Sequence, residues 1–157
     1  MEVKVIFDED FSNYKTPAMI IGFPKCTFKC DKDCGKQVCQ NSTLAATKSF
    51  DISIEEIVDR YMKNNLTSAI VCGGLEPFDS YTDLHELIFG LRQKTDDLVI
   101  IYTGYNKDEI ADKVKALSIF KNIIIKFGRF VPGQEKHFDE ILGVELASKN
   151  QFAERIS

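Results

Sequence analysis

Cys26, Cys30, Cys34 and Cys39 fall within one short stretch, and a fifth cysteine, Cys72, stands apart. In a reducing compartment such a cluster is a metal or redox site rather than a disulfide framework, and the odd total fits that view. Three thiolates on a flexible loop can hold three irons of a 4Fe–4S cube and leave the fourth iron open to a ligand. A fourth cysteine would close the cluster for plain electron transfer. Four loop cysteines also suit a structural zinc site, since spacings of two to four residues serve both. The loop alone leaves both open. A second segment, Gly73-Gly74-Leu75-Glu76-Pro77, follows an apolar run. Paired glycines let a ligand approach the backbone closely. Glu76 would present a carboxylate to an ammonium group. Taken singly the segment reads as a Gly-rich turn with a solvated Glu; beside a cysteine loop it points to a ligand-binding edge.

These segments need elements to position them. Val3 to Phe7 reads as a short edge strand and Ala18 to Phe23 as a second strand that runs into the cysteines. Residues 24 to 50 show neither helical nor strand period and read as a long functional loop. Ser53 and Glu56 form a capping box. After it, Ile54, Ile57, Val58, Tyr61 and Met62 mark a helix with one buried face. Ala69 to Cys72 is a buried strand. Ser80 to Lys94 is a helix with Leu84, Leu87, Ile88 and Leu91 on one stripe. Leu98 to Tyr102 is a further strand. Asn106 caps a helix whose stripe is Ile110, Val114 and Leu117. Ile123 to Ile125 centres one more strand, closed by Gly128. From Val131 to Ser157 the period is weak, and no element is assigned.

Continuous apolar strands alternating with amphipathic helices predict an α/β fold of about five or six strands, its parallel sheet covered on both faces and its crossovers right-handed. Ligands gather at the carboxyl ends of such strands. The cysteine loop, the Gly73 to Pro77 segment and Tyr102-Thr103-Gly104-Tyr105 all fall there. Thr103 and Gly104 are therefore candidates to line a ligand site, against the simpler reading of a tight turn. Lys126, at the end of an apolar run, could face the ligand cavity or snorkel outward, and the second is the favoured reading. Cys72 reads as a small buried hydrophobe, and His85 and His137 as boundary residues. Lys25, Lys29, Lys32 and Lys36 form a basic cluster that is solvated or docks an acidic surface.

Length and charge narrow the class. The chain of 157 residues predicts one domain over residues 1 to 157 and is too short for a complete eight-fold barrel. A net charge of −4 argues against nucleic acid or an anionic membrane as partner. No apolar run reaches transmembrane length, and MEVKVIFDED does not read as a signal peptide, so a cytoplasmic location is expected.

A cysteine loop after the first core strand and a GGEP-like turn after a later one resemble the radical S-adenosylmethionine (SAM) superfamily. Within it the chain resembles the anaerobic ribonucleoside-triphosphate reductase activating protein family. Tyr102 to Tyr105 (YTGY) matches a segment typical of that family, and Ser148, Asn150 and Gln151 (SKNQ) resemble its S-x-N-Q ending. The resemblance runs from about residue 15 to the end of the chain. It implies a truncated radical-SAM partial barrel of parallel strands with flanking helices, a 4Fe–4S cluster, and SAM at the open iron. It also implies one-electron cleavage of SAM to methionine and a 5′-deoxyadenosyl radical, which would install a glycyl radical on a partner reductase. An electron donor such as a flavodoxin or ferredoxin follows from that chemistry.

The superfamily pattern is C-x3-C-x2-C. Cys26 and Cys30 supply the first spacing, but Cys34 comes one residue late and follows charged Asp33. Cys39 follows Val38 and is followed by Gln40 and Asn41, with the Asn where the family typically has one. Residues 31 to 36 then read as an insertion. The ligands implied are Cys26, Cys30 and Cys39, with Cys34 the rival third. Gly73, Gly74, Glu76, Thr103 and Gly104 would bind SAM, and Leu75 is an extra residue in the glycine turn. Two other readings stand beside this one: a radical SAM enzyme acting on a small molecule, and a non-catalytic metal or Fe–S interaction module.

Overall fold

The structure is a computed structural model describing residues 1–157. Short strand β1 (Glu2–Val3) precedes β2 (Val5–Asp10) and β3 (Ala18–Phe23). Two short helices follow, α1 (Lys29–Cys34) and α2 (Ser42–Ala46), then β4 (Phe50–Asp51). The regular part runs α3 (Ile54–Met62), β5 (Ala69–Gly74), α4 (Tyr81–Arg92), β6 (Leu98–Tyr102), α5 (Ala111–Leu117) and β7 (Ile123–Phe127). Single 3₁₀ turns lead into α4 and α5. The chain ends with β8 (His137–Asp139), β9 (Val144–Leu146) and β10 (Phe152–Arg155).

The central sheet has the order β10-β7-β6-β5-β3-β2. Its four inner strands are parallel; β2 and β10 are antiparallel edges. Strand order advances steadily from β3 to β7, so crossovers of one hand put α3, α4 and α5 on one face. Ile57, Val58 and Tyr61 of α3, Leu84, Leu87, Ile88 and Leu91 of α4, and Val114 and Leu117 of α5 all pack there. They meet Met19, Ile21, Ile70, Cys72, Val99, Ile101, Ile123 and Ile125 of the strands. The alternate strand residues point the other way, where Ala18, Ala69, Val71, Ile100 and Ile124 pack on Tyr14, Leu142 and Leu146.

This corrects the expectation of a sheet covered alike on both faces. The second face carries a smaller cluster, capped by the segment around the β8–β9 hairpin, and part of it stays open. Two further expectations change. Residues 24 to 50 contain two helices rather than none. They bury no residue and so leave no apolar stripe to read. The tail after Val131 contributes three strands. Each has three or four residues, too few for an alternation to stand out. The first edge strand is also displaced, pairing over Val5 to Asp10 with a register shift between Phe7 and Asp10.

Candidate functional site

A cavity of about 480 Å³ opens on the face opposite α3, α4 and α5, at the carboxyl ends of the inner strands. Ile20 and Gly22 of β3, Val71 and Gly73 of β5, Tyr102 of β6 and Lys126 of β7 form its floor. These are the residues whose period-two partners face the helices, so strand register decides which side chains reach the cavity. Phe130, Val144, Leu146 and Ala147 close one side, and Phe7 and Leu44 stand on another.

Cys26, Cys30 and Cys39 line this cavity; Cys34 does not. Cys26 lies just past β3, held because the Glu76 N–H donates to the Lys25 carbonyl at 2.8 Å. The Thr27 N–H donates to the Asp79 carboxylate at 2.7 Å. Phe28 takes a left-handed conformation, φ 51°, and its N–H donates to Cys26 Sγ at 3.2 Å. Burial pushes the Cys26 thiol up to about 12, against the pull of that N–H, with Glu76, Cys30 and Asp79 adding to the rise. Burial and the nearby Cys39 also raise Cys30. Thiols desolvated in this way resist ionising on their own. A bound cation removes that penalty, because a coordinating thiol is deprotonated outright.

The charged network behind α1 is well defined. Arg129, nearly buried, donates from Nη2 to Glu109 Oε1 at 2.5 Å, and its Nε lies 3.0 Å from Asp33 Oδ2. Lys29 Nζ donates to the same Glu109 oxygen at 2.9 Å and lies 4.6 Å from the Tyr105 ring centroid. The Asn106–Glu109 capping box fixes that carboxylate from below. Hydrogen bonding by Arg129, ahead of the Asn106 N–H and Lys29, holds Glu109 down at about 2. Lys29 of the basic cluster is thus engaged within the chain, while Lys25, Lys32 and Lys36 are exposed.

Gly73, Gly74, Glu76, Thr103 and Gly104 all line the same cavity. Gly74 has φ +79°, and a Cβ there would stand 2.7 Å from the Gly22 Cα and 3.1 Å from Leu44. Glycine is required by both the dihedral and the contact. Leu75 is absorbed because its N–H donates to the Phe23 carbonyl at 3.4 Å while Glu76 reaches Lys25. Glu76 is 5% exposed rather than solvated. Its Oε1 accepts from the Thr103 hydroxyl at 2.8 Å and the Phe78 N–H at 3.1 Å, and its Oε2 from the Gly104 N–H at 2.8 Å. A carboxylate has about four acceptor positions, so one is left for a ligand donor. Burial lifts Glu76 to about 7 despite those hydrogen bonds.

Lys126 takes the less favoured of its two sequence readings and faces the cavity. It is 6% exposed, lines the cavity and donates from Nζ to the carbonyls of Thr103 (3.2 Å) and Gly128 (3.0 Å). Burial lowers it to about 8, with Glu76 pulling the other way. Two of its three donors are used. The signal was there to read: in Ile123 to Phe127 the lysine takes the same parity as Ile124, whose side chain faces away from the helices. Ser148, Asn150 and Gln151 pin the corner beyond Lys126. Asn150 Nδ2 donates to the Arg129 carbonyl at 2.8 Å, Gln151 Nε2 to the Gly128 carbonyl at 3.2 Å, and the Ser148 N–H to Gln151 Oε1 at 3.1 Å.

Cys72 is fully buried among core residues, and burial alone raises it to about 12. His85 packs edge-on against Phe120 at 5.1 Å, and His137 lies in β8. No helix is long and apolar enough to cross a membrane. No three His, Cys, Asp or Glu side chains converge tightly enough to chelate a single ion. No curated protein and no solved structure matches the chain. Three thiols around one cavity suit a larger, several-iron group, and the family model of the 4Fe-4S single cluster domain matches residues 19–151: the chain belongs to that family.

Proposed function

We propose that this chain is a radical SAM activase that installs a glycyl radical on an anaerobic ribonucleoside-triphosphate reductase. The observation that carries the reading is one cavity shared by three of the four loop cysteines, the glycine turn and a buried acid and base. Membership of a 4Fe–4S family supports the cluster, and helices on one sheet face with a cavity on the other support a truncated partial barrel. When bound, the cluster and SAM supply the electron transfer and the hydrogen-abstracting radical; the protein positions them and excludes water.

Each residue then has a role. Cys26, Cys30 and Cys39 would hold three irons and leave one coordination position free. The Glu76 position left unused accepts an ammonium, and the remaining Lys126 donor takes an anionic group of the same ligand. Thr103 and the Gly104 N–H hold the Glu76 carboxylate in one orientation. Gly73 and Gly74 keep side chains out of the ligand's path. The hairpin residues Val144 and Leu146 wall the cavity against water. An electron donor such as a flavodoxin or ferredoxin completes the system.

The test is anaerobic reconstitution with iron and sulfide, then dithionite and SAM, with 5′-deoxyadenosine read by chromatography. Cluster-dependent 5′-deoxyadenosine is expected, and a glycyl-radical resonance when a candidate reductase is added. A loaded cluster that yields no 5′-deoxyadenosine, with the reductase present as well as absent, overturns the activase reading and leaves an Fe–S interaction module. Cleavage with no radical on the reductase redirects the reading to a small-molecule substrate.

A further inference from the structure

The loop departs from the compact spacing by inserting residues between Cys30 and the third thiol, yet Cys39 lines the same cavity as Cys26 and Cys30. Nine residues of extended chain would carry Cys39 about 30 Å from Cys30. Something must return it. Helix α1 continues past Cys30 to Cys34, a displacement of about 6 Å along the axis. Gly35, φ 66°, then ends the helix in a left-handed turn, its N–H donating to the Lys32 carbonyl at 3.3 Å. The chain doubles back over residues 36 to 39. It is received by one side chain: Asp31 Oδ1 accepts the N–H groups of Val38 at 2.7 Å and of Cys39 at 2.8 Å. Asp31 follows Cys30 directly, so the acceptor that fixes the third thiol is joined to the second.

We infer that Asp31 is a positioning residue, a carboxylate latch that selects Cys39 over Cys34 as the third thiol of the site. The inference rests on the cluster reading for its consequence but not for its geometry. The rest of the segment supplies little competing restraint. Neither α1 nor α2 buries a residue. Asp33, two residues on, is occupied with Arg129 and restrains the helix instead of the return. Without Asp31 the 36 to 39 return has no side-chain acceptor, and Cys34, one helical turn from Cys30, becomes the nearer competitor.

The experiment compares Asp31→Ala, Asp31→Asn and Asp33→Ala with the parent chain in two arms. In the first, cluster-free reduced protein is pulsed with iodoacetamide and each cysteine is quantified by peptide mass spectrometry. Asp31→Ala is expected to raise the Cys39 rate at least about tenfold, since it removes two hydrogen bonds to a charged acceptor. Cys26 should stay slow. Asp31→Asn keeps an acceptor oxygen and restores most of the protection, while Asp33→Ala leaves Cys39 unchanged. In the second arm each protein is loaded with iron and sulfide, and Asp31→Ala combined with Cys34→Ala loses the cluster that Cys34→Ala largely keeps and Asp31→Ala keeps in part. Equal Cys39 rates in Asp31→Ala and parent overturn the latch. So does full cluster loading in the double variant. A parent chain that takes up no iron sinks the cluster reading, while the alkylation arm still decides the latch.

Discussion

The segment from Phe23 to β4 and the sheet from β5 to β7 are built on opposite terms. Every residue of β7 is buried, as are all but the last of β5. The sheet is held by apolar area removed from water, which is worth about 25 cal/mol per Å². The cysteine segment buries nothing in either of its helices. It is held by individual polar tethers, Asp31 to Cys39, Asp79 to Thr27, Asp33 to Arg129 and Lys29 to Glu109. At the cavity, sheet residues form the floor and cysteines the rim. A region secured by area resists change and keeps Glu76 and Lys126 in place. A region secured by tethers can rearrange around a cofactor, at the expense of intrinsic stability.

The contrast breaks most sharply at single atoms of the rim. Cys39→Ala is expected to abolish the iron–sulfur absorption of reconstituted protein, while Cys34→Ala largely keeps it; iron and sulfide assays check both. The reverse pattern would move the third ligand to Cys34. In the sheet region the large effect is on stability. Leu87→Ala, at a fully buried helix position, should cost about 2–5 kcal/mol in urea unfolding. Val38→Ala, at the loop return, should stay within about 0.5 kcal/mol. Comparable losses would mean that the loop packs like the core.

Gly74→Ala joins the two regions. The left-handed dihedral and the 2.7 Å approach to Gly22 predict a loss of about 1–3 kcal/mol together with reduced cluster loading. Thermal unfolding and iron content, measured on the same sample, separate the two consequences.

The finest comparison is between two carboxylates. Glu109, held near 2 by Arg129, contributes stability that is fully present above its ordinary value of 4.5 and is lost as pH falls toward 2. Glu76, lifted to about 7 by burial, keeps its proton in the folded state only until the pH nears 7 and is a carboxylate above it. Stability should therefore decline as pH rises from 4.5 to about 7. Urea unfolding across pH should lose its acid-side slope in Glu109→Gln and its neutral-side slope in Glu76→Gln. Parallel profiles in either variant would show that the other partners of these groups compensate.

The helices and inner strands were legible because burial writes its period directly into the chain. Ile57, Val58 and Tyr61 repeat at helical spacing, and Val99 to Ile101 form an unbroken apolar run. The cysteines, the glycine pair and Glu76 were legible as chemistry, from residue type and spacing. The choice between zinc and a 4Fe–4S cluster was not, since both accept those spacings; the family match supplies the cluster. Helices α1 and α2 and the last three strands were not legible either. They are short, and contacts with distant residues hold them: Asp139 Oδ2, for example, accepts the Ala153 N–H at 2.9 Å.

Residue type and period thus specified a parallel α/β sheet with its reactive loops at one edge, because local patterning and strand direction follow from the chain's own order. Which sheet face stays open, that Lys126 turns inward, that Glu76 is buried against Thr103 and Gly104, and that Asp31 returns Cys39 to the cavity all depend on partners far apart in sequence or on a single side-chain geometry. Those contacts exist only once the strands have paired and the crossovers have chosen a side.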